Sequence, residues 1–563
     1  MGEIQIAAID WAVLVFYLAG IAAIGVIAGL GVRDTENYFL GKRRFGKWLM
    51  IGQSFGTGTH AEMPVSLAGA VYNIGVSAIW YQWKNLFATP FYWLIAPLFR
   101  RIRRTTVAEL TEDRYGPWMG AIYTVFALCF LTINTASMLK GAAKVIAQAV
   151  GGQAPVNGIV VAMTVVFVLY SFVGGLVAAA WTDLLQGFLI IVLSFMLIPA
   201  GWGAVGGMEG MRQSLEAYKF SLATPSGIGP WFIAMLTING LIGIVAQPHL
   251  MAAVGSGKNE SDCRVGFLYG PFVKRFCTIG WAMVGLIVAA MIARRSFGVS
   301  GLADPEEAFG FACRHLLFPG GIGLLIASVL AANMAGCSAF MVDSGALFTR
   351  NFYRKYLVRS RMDSHYLWVG RLSGMLITLA GALYAFFLIQ RVLYSFLLTE
   401  TMATFMGISI FGGILWRRAN RWGAVSSLAA AMAANFVLYH ARGQRLDHWD
   451  PNVFLVALSA GVVALVGVSL LTPEEPPASL ASFFARLQTP ATGPEEEAPA
   501  VSAEAAAKEG RQLILVNLFH LKRGAAGVGF LRAYRTDLSG FAIGWLIALL
   551  LILAAWLLFH AAW

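Results

Sequence analysis

Gly52-Gln-Ser-Phe-Gly56-Thr-Gly58-Thr-His60-Ala-Glu62-Met-Pro64 lies in the middle of one apolar stretch, and Asn239-Gly240-Leu-Ile-Gly243-Ile-Val-Ala-Gln247-Pro248-His249 repeats its character much later in the chain. Each stretch is long enough to cross about 30 Å of hydrocarbon, which takes roughly twenty residues. A regular helix in lipid has little use for clustered glycines, a proline, hydroxyls and ionisable groups at mid-membrane depth. Backbone that leaves the helix there must be satisfied by protein or line a cavity. A kink relieved by a neighbouring helix explains either break alone. Two Gly/Pro-broken spans at matching places in two halves point instead to an inverted-repeat transporter with its site between the breaks.

The rest of the chain fits a membrane protein. Of 563 residues, 58% are hydrophobic and 12% charged, and the mean hydropathy is +0.69. Globular chains carry about a quarter charged residues, so a cytosolic enzyme, a secreted disulfide scaffold and a disordered regulator are excluded. About fourteen apolar segments are expected, near 7–30, 46–72, 75–98, 118–149, 156–178, 181–204, 228–254, 264–294, 318–350, 365–387, 391–416, 421–440, 453–472 and 540–561. Their lengths suit helices; a membrane barrel would show short alternating strands. The organisation follows as a leading helix and loop (1–45), two five-helix repeats (46–204 and 228–416), additional helices (417–472), a linker (473–539) and a final helix (540–563).

The net charge of +12 is a topology signal. Arg100, Arg101, Arg103, Arg104 and Arg114 follow the third span, Arg350, Arg354 and Lys355 the ninth, and Arg417, Arg418 and Arg421 the eleventh. They fall on one side, which the positive-inside rule makes cytoplasmic. Both termini are then outside, and the balance gives no reason to expect nucleic acid. The first span has no basic leader and is not a cleaved signal. Five scattered cysteines build neither a zinc site nor a disulfide framework. The Pro/Glu/Ala-rich 473–539 reads as a cytoplasmic linker, disordered in part, with either a short interfacial helix or one more loop at Leu513–Leu521.

Several motifs in order resemble the sodium/solute symporter family, whose members include proline permease and the sodium/glucose transporters. They are Tyr38-Phe-Leu-Gly41-Lys42-Arg43, Ala70-Val-Tyr72-Asn-Ile-Gly75, Thr106-Val-Ala-Glu109-Leu with Arg114-Tyr-Gly116, Gly174-Gly175, Trp181-Thr182-Asp183-Leu-Leu-Gln186, Gln247-Pro248-His249 and Gly412-Gly413-Ile-Leu-Trp416-Arg417-Arg418-Ala-Asn420. The match spans roughly 10–470. It implies an all-α LeuT-type inverted-repeat bundle with about fourteen transmembrane helices. The function it implies is a secondary active transporter moving a small polar solute by alternating access, coupled to sodium or protons. No other cofactor is implied, and the surroundings would be the lipids of a bacterial inner (plasma) membrane. The resemblance places a sodium ion at Gly56, Thr59, Asn333, Gly336 and Cys337, with Asp183 on the cation exit path. Here the two family hydroxyls fall on Gly336 and Cys337. Glycine offers no side-chain oxygen and cysteine a soft sulfur, a poor set for a hard cation. The match of Asp343-Ser344 to the family's Asn-Ser argues against a register shift to Ser338.

Ionisable groups inside a membrane are functional candidates by default. His60, Lys84 and Gln247 are expected solute contacts, and the resemblance adds Glu62, Met63, Gln82 and Ala246 by their positions. Histidine is the side-chain type that exchanges protons near neutral pH, and His60 either shares a proton with Glu62 or only packs. Lys84 either pairs with Glu62 or meets a solute carboxylate. Trp80, Tyr81 and Trp83 read as a gate or as interface aromatics. Against the transporter stands a non-transporting sensor or scaffold of the same fold, although the chain carries no recognisable output domain. An enzyme is not expected: HExxH, GxSxG and P-loop patterns are absent. The oligomeric state is not legible.

Overall fold

The computed structural model describes residues 7–151, 154–224, 228–389, 391–444, 449–491, 512–518 and 529–560. Among them every regular element is a helix. The first half runs α1 (Ala8–Gly29), α2 (Thr35–Leu40), α3 (Lys47–Thr57), α4 (Glu62–Ile74), α5 (Trp80–Trp83), α6 (Thr89–Ile102), α7 (Val107–Tyr115), α8 (Pro117–Ala149), α9 (Val156–Phe195), α10 (Ile198–Val205) and α11 (Gly207–Ser214). The second continues with α12 (Pro230–Gly243), α13 (Pro248–Gly255), α14 (Glu260–Ala293), α15 (Ala308–Leu316), α16 (Gly321–Ala346), α17 (Asp363–Phe387), α18 (Val392–Leu415), α19 (Arg421–Ala441) and α20 (Pro451–Leu471). Beyond these lie α21 (Pro477–Gln488), α22 (Ile514–Asn517), α23 (Phe530–Ala533) and α24 (Arg535–His560).

Among the described residues ten helices are long and apolar enough to cross a membrane, or eleven when α12 and α13, bent by 65°, count as one span. The expected fourteen are not reached, for a local reason. The spans expected at 46–72 and 75–98 are divided into short helices, the first over residues 58–61 and the second over 84–88, and only Gly175–Val205 of the 156–204 region passes as a full span. Apolar residues run straight through the turn at Gly175, which carries φ +56°. A Cβ there would lie 2.4 Å from the Tyr38 ring, so two motifs far apart in sequence are one packing contact, and position and conformation both demand glycine.

The core is built on α14 and α16, which are buried almost throughout. α14 packs on α3, α4 and α6, and α16 packs on α1, α8, α9 and α17. The arginines that signal topology gather at one end and are tied down there. Arg104 makes a two-point pair with Asp113 at 2.7 Å, Arg101 one with Glu260 at 2.9 and 3.0 Å, and Arg350 pairs with Glu109 at 3.0 Å. The expected linker is ordered over its described ends. α21 buries Phe483, Phe484 and Leu487, and Glu475 pairs with Arg421 at 2.7 Å; residues 492–511 and 519–528 lie outside the described residues. The final helix starts earlier than expected, at Arg535, because Asp537 is held by Arg264 at 2.5 Å.

Arg114 explains the pairing of two motifs. Its guanidinium donates to the carbonyls of Gly413 (2.8 Å), Trp416 (3.2 Å), Arg417 (3.2 Å) and Ala419 (2.8 Å), groups that the end of α18 leaves without helical partners. Tyr115 donates to the Ser409 carbonyl at 2.7 Å. Arg114→Met strands these buried acceptors and is expected to cost about 3 kcal/mol or more. Thermal unfolding in detergent checks this: a clear drop in midpoint is expected, only partly recovered by Arg114→Lys, and an unchanged midpoint contradicts the capping role.

Candidate functional site

The first break runs from the end of α3 at Thr57 to the start of α4 at Glu62. Carbonyls released there find side-chain donors. His60 Nε2 lies 2.6 Å from the Thr57 carbonyl; a carbonyl only accepts, so Nε2 carries the proton and Nδ1 is left facing Glu62 Oε1 at 3.1 Å. Lys274, one helix away on α14, donates from Nζ to the Gly58 carbonyl at 2.6 Å. Glu62 is buried, and its second oxygen has no hydrogen-bond partner.

The second break has a 3-10 turn at Ile244–Ala246, then Gln247 in extended conformation, and restarts at Pro248. Proline suits this first helical position, where its missing N–H costs nothing. Tyr123 donates to the Ala246 carbonyl at 2.6 Å, and Thr404 to the Asn239 carbonyl at 2.8 Å. Gln247 Nε2 donates to Glu400 Oε1 at 2.8 Å, and the other oxygen of Glu400 takes the ammonium of Lys84. Lys84 is 1% exposed. One carboxylate on α18 thus ties the residue after α5 to the second break. The expected Lys84–Glu62 pair is not formed; Glu400 reaches Lys84 instead, and Glu62 turns to His60.

Between the breaks lies a cavity. His60, Gln247, Lys274, Arg275 and Glu400 supply its polar wall, and Phe130, Phe340 and Phe396 its aromatic one. The His249 ring sits between Phe130 (6.2 Å, stacked) and Phe340 (4.9 Å). Of the expected solute contacts, His60, Met63 and Gln247 line the cavity. Lys84 stands behind Glu400 and Glu62 behind His60; Gln82 is buried off the cavity, and Ala246 contributes its carbonyl to Tyr123. Trp80 and Trp83 do not line the cavity; their indole N–H groups donate to the Leu222 carbonyl (2.7 Å) and the Arg275 carbonyl (3.1 Å). Lys274, Arg275 and Glu400 were not anticipated. Their signal was present, since each is an ionisable residue within an apolar run, but a span-wide average hides it.

The positions implied for an ion form a separate cluster that meets the cavity at His60. Asp183 Oδ2 accepts from the Thr57 hydroxyl at 3.1 Å, while Asp183 Oδ1 and Thr59 Oγ1 are buried without partners. Gly56 packs on Asp183, a built Cβ lying 2.8 Å from the aspartate's own. These oxygens suit a hard cation. The α16 side does not: Cys337 Sγ contacts Asn333 Oδ1 and Met138 Sδ, both at 3.9 Å, and Gly336 lies under the His60 ring. A Cβ at 336 would come 2.4 Å from His60 Cδ2 and 2.1 Å from Met138 Cε. The methionine end can swing away; the ring, fixed at both nitrogens, cannot. Gly336→Ser is therefore expected to lower the thermal midpoint and His60→Ala/Gly336→Ser to recover most of the loss, whereas a well-tolerated single Gly336→Ser refutes the steric conflict.

The family model described as the sodium:solute symporter family matches residues 38–430. The osmoregulated proline transporter OpuE of Bacillus subtilis is 24% identical over 485 residues, covering 83% of this chain and 96% of that protein. The sodium/proline symporter of Salmonella typhimurium is 23% identical over 487 residues, covering 84% and 94%. A solved structure of a Na⁺-coupled sialic acid symporter shares the fold with a TM-score of 0.71 at 19% identity, covering 84% of this chain and 99% of that one. The architecture is the LeuT-type bundle that the motifs imply, and the proteins it matches are transporters, not enzymes. With two broken helices facing one polar cavity, and the family match running through both, this chain belongs to the sodium:solute symporter family of membrane-embedded secondary active symporters.

Proposed function

We propose that the protein carries a small polar solute by alternating access, binding it in the cavity between the breaks at Gly58 and Gln247. The observation that carries this is the wall of that cavity, where Asn85 Oδ1, His249 Nδ1 and Nε and Nη1 of Arg275 are buried with no hydrogen-bond partner. Leaving such groups unmade is costly, and a polar solute supplies what they lack. Relatives named for proline and for sialic acid are in keeping with a small solute carrying a carboxylate. Residues 46–204 and 228–416 act as the two five-helix repeats that move against one another. The arginine-rich end faces the cytoplasm of a bacterial inner membrane, with the N-terminus outside.

Sodium is the coupling ion the family match favours, approaching the unpartnered oxygens of Thr59 and Asp183. The His60–Glu62 contact supports a proton as the second reading, since it sets a ring nitrogen against a carboxylate oxygen with room for one proton between them. Proteoliposomes loaded by counterflow with labelled small carboxylates and amino acids separate the readings. Accumulation driven by a sodium gradient at equal pH supports sodium, and accumulation driven by a pH gradient alone supports the proton. Uptake indifferent to both gradients overturns coupled symport. Glu400→Gln leaves the Lys84 ammonium without its counter-charge, so initial uptake is expected to fall about tenfold or more, with Glu400→Asp retaining part of it. Undiminished uptake by Glu400→Gln removes this network from the transport cycle.

A further inference from the structure

Two basic side chains on the cavity wall, Lys274 and Arg275, have no carboxylate in hydrogen-bond contact. Glu400 is engaged through both oxygens, by Lys84 and by Gln247, and Glu62 is engaged by His60 off the cavity wall. Lys274 has the neutral Gly58 carbonyl as its hydrogen-bond acceptor, which orients the ammonium without compensating its charge. Arg275 is 2% exposed, and its Nε and Nη1 are buried with no hydrogen-bond partner. Neither Lys274 nor Arg275 has a carboxylate within hydrogen-bond distance, while Glu62 and Glu400 are taken up by His60, Lys84 and Gln247. A buried charge without a counter-ion is expensive inside a membrane.

On the transport reading above, we infer that the solute is net anionic, a small organic mono- or dicarboxylate, and that Arg275 and Lys274 hold its carboxylate. Arg275 presents unpartnered donors to the cavity, and guanidinium–carboxylate contacts are the strong, charge-assisted kind. Lys274 stands beside it in sequence and is fixed by the first break, so anion binding is linked to the backbone where α3 gives way to α4. Phe130, Phe340 and Phe396 offer apolar faces to the solute's carbon skeleton. A zwitterion fits less well. Its ammonium would meet Lys274 and Arg275, while the one carboxylate on the cavity wall, Glu400, already has a donor at each oxygen.

The test uses the full chain in nanodiscs and proteoliposomes, with lactate and succinate as anionic probes, proline and glycine betaine as zwitterions, and glucose as a neutral control. Lactate or succinate is expected to raise the thermal midpoint saturably and to support counterflow. Arg275→Met is expected to weaken that binding about 30-fold or more, and Arg275→Lys to restore part of it. Where Arg275→Met does not fold, Lys274→Met carries the test, since it removes one charge and a single hydrogen bond. Exchange of proline or betaine with no response to either anion overturns the anionic assignment while leaving the transport reading intact. So does anion binding that both Met variants retain at full strength. Failure of folded wild-type protein to exchange any of the five probes, or a wider panel of small solutes, overturns the transport reading and this inference with it.

Discussion

A helix that stops inside a membrane releases carbonyl groups that no water can satisfy, and the site of this transporter is organised around that constraint. Thr57 receives His60, Gly58 receives Lys274, Ala246 receives Tyr123 and Asn239 receives Thr404. Each donor comes from the break itself or from a neighbouring helix, so satisfying the two breaks also fixes α8, α14 and α18 around them. Two of those donors, His60 and Lys274, are among the polar groups that line the cavity. The chemistry presented to a solute is therefore in part a by-product of how the broken backbone is repaired. A change in either donor acts on backbone and solute together.

The breaks themselves were legible because glycine and proline mark them locally: Gly52 through Pro64 and Asn239 through His249 need no knowledge of the rest of the chain. Partners were not legible. Lys84 has Glu62 nearby in sequence, yet its carboxylate comes from Glu400 on α18, a choice made by packing alone. Lys274, Arg275 and Glu400 escaped notice because one or two charges hardly move the average of an apolar span. The turn at Gly175 escaped for the complementary reason, since hydropathy continues unbroken through it and only the approach of Tyr38 shows why glycine is there. In 473–539 the composition suggested disorder, while the spacing of Phe483, Phe484 and Leu487 was enough to seat a helix on the end of the bundle.

The basic excess has two roles that composition cannot separate. Arginines at one end suit a cytoplasmic orientation, but several also hold the structure together. Arg101 joins α6 to the start of α14 through Glu260, and Arg114 joins α7 to the end of α18. Residues 473–491 add to the same joints: Arg486 reaches Asp113 at 2.8 Å and the backbone N–H of Ala491 reaches Glu260 at 2.6 Å. Charges at the membrane end are thus partly neutralised within the chain, whereas Lys274 and Arg275, deep in the bundle, have no carboxylate in hydrogen-bond contact. The contrast shows that pairing is readily available to this sequence, which makes its absence at the cavity informative.

The glycine at 336 and the histidine at 60 belong to one substitution. A side chain at 336 would point into the imidazole, so a hydroxyl on α16 and this ring at the first break exclude one another in the conformation observed. Loss of an oxygen from the expected ion position then follows from having chosen a ring to cap Thr57. The same choice brings Nδ1 against Glu62, which otherwise would lack a partner on either oxygen. Oxygens on the opposite side of that position, at Thr59 and Asp183, are unaffected by the ring and remain unpartnered. At the position the resemblance implies for an ion, the unpartnered side-chain oxygens are thus those of Thr59 and Asp183, whereas at Gly336 the His60 ring occupies the space a side chain would need.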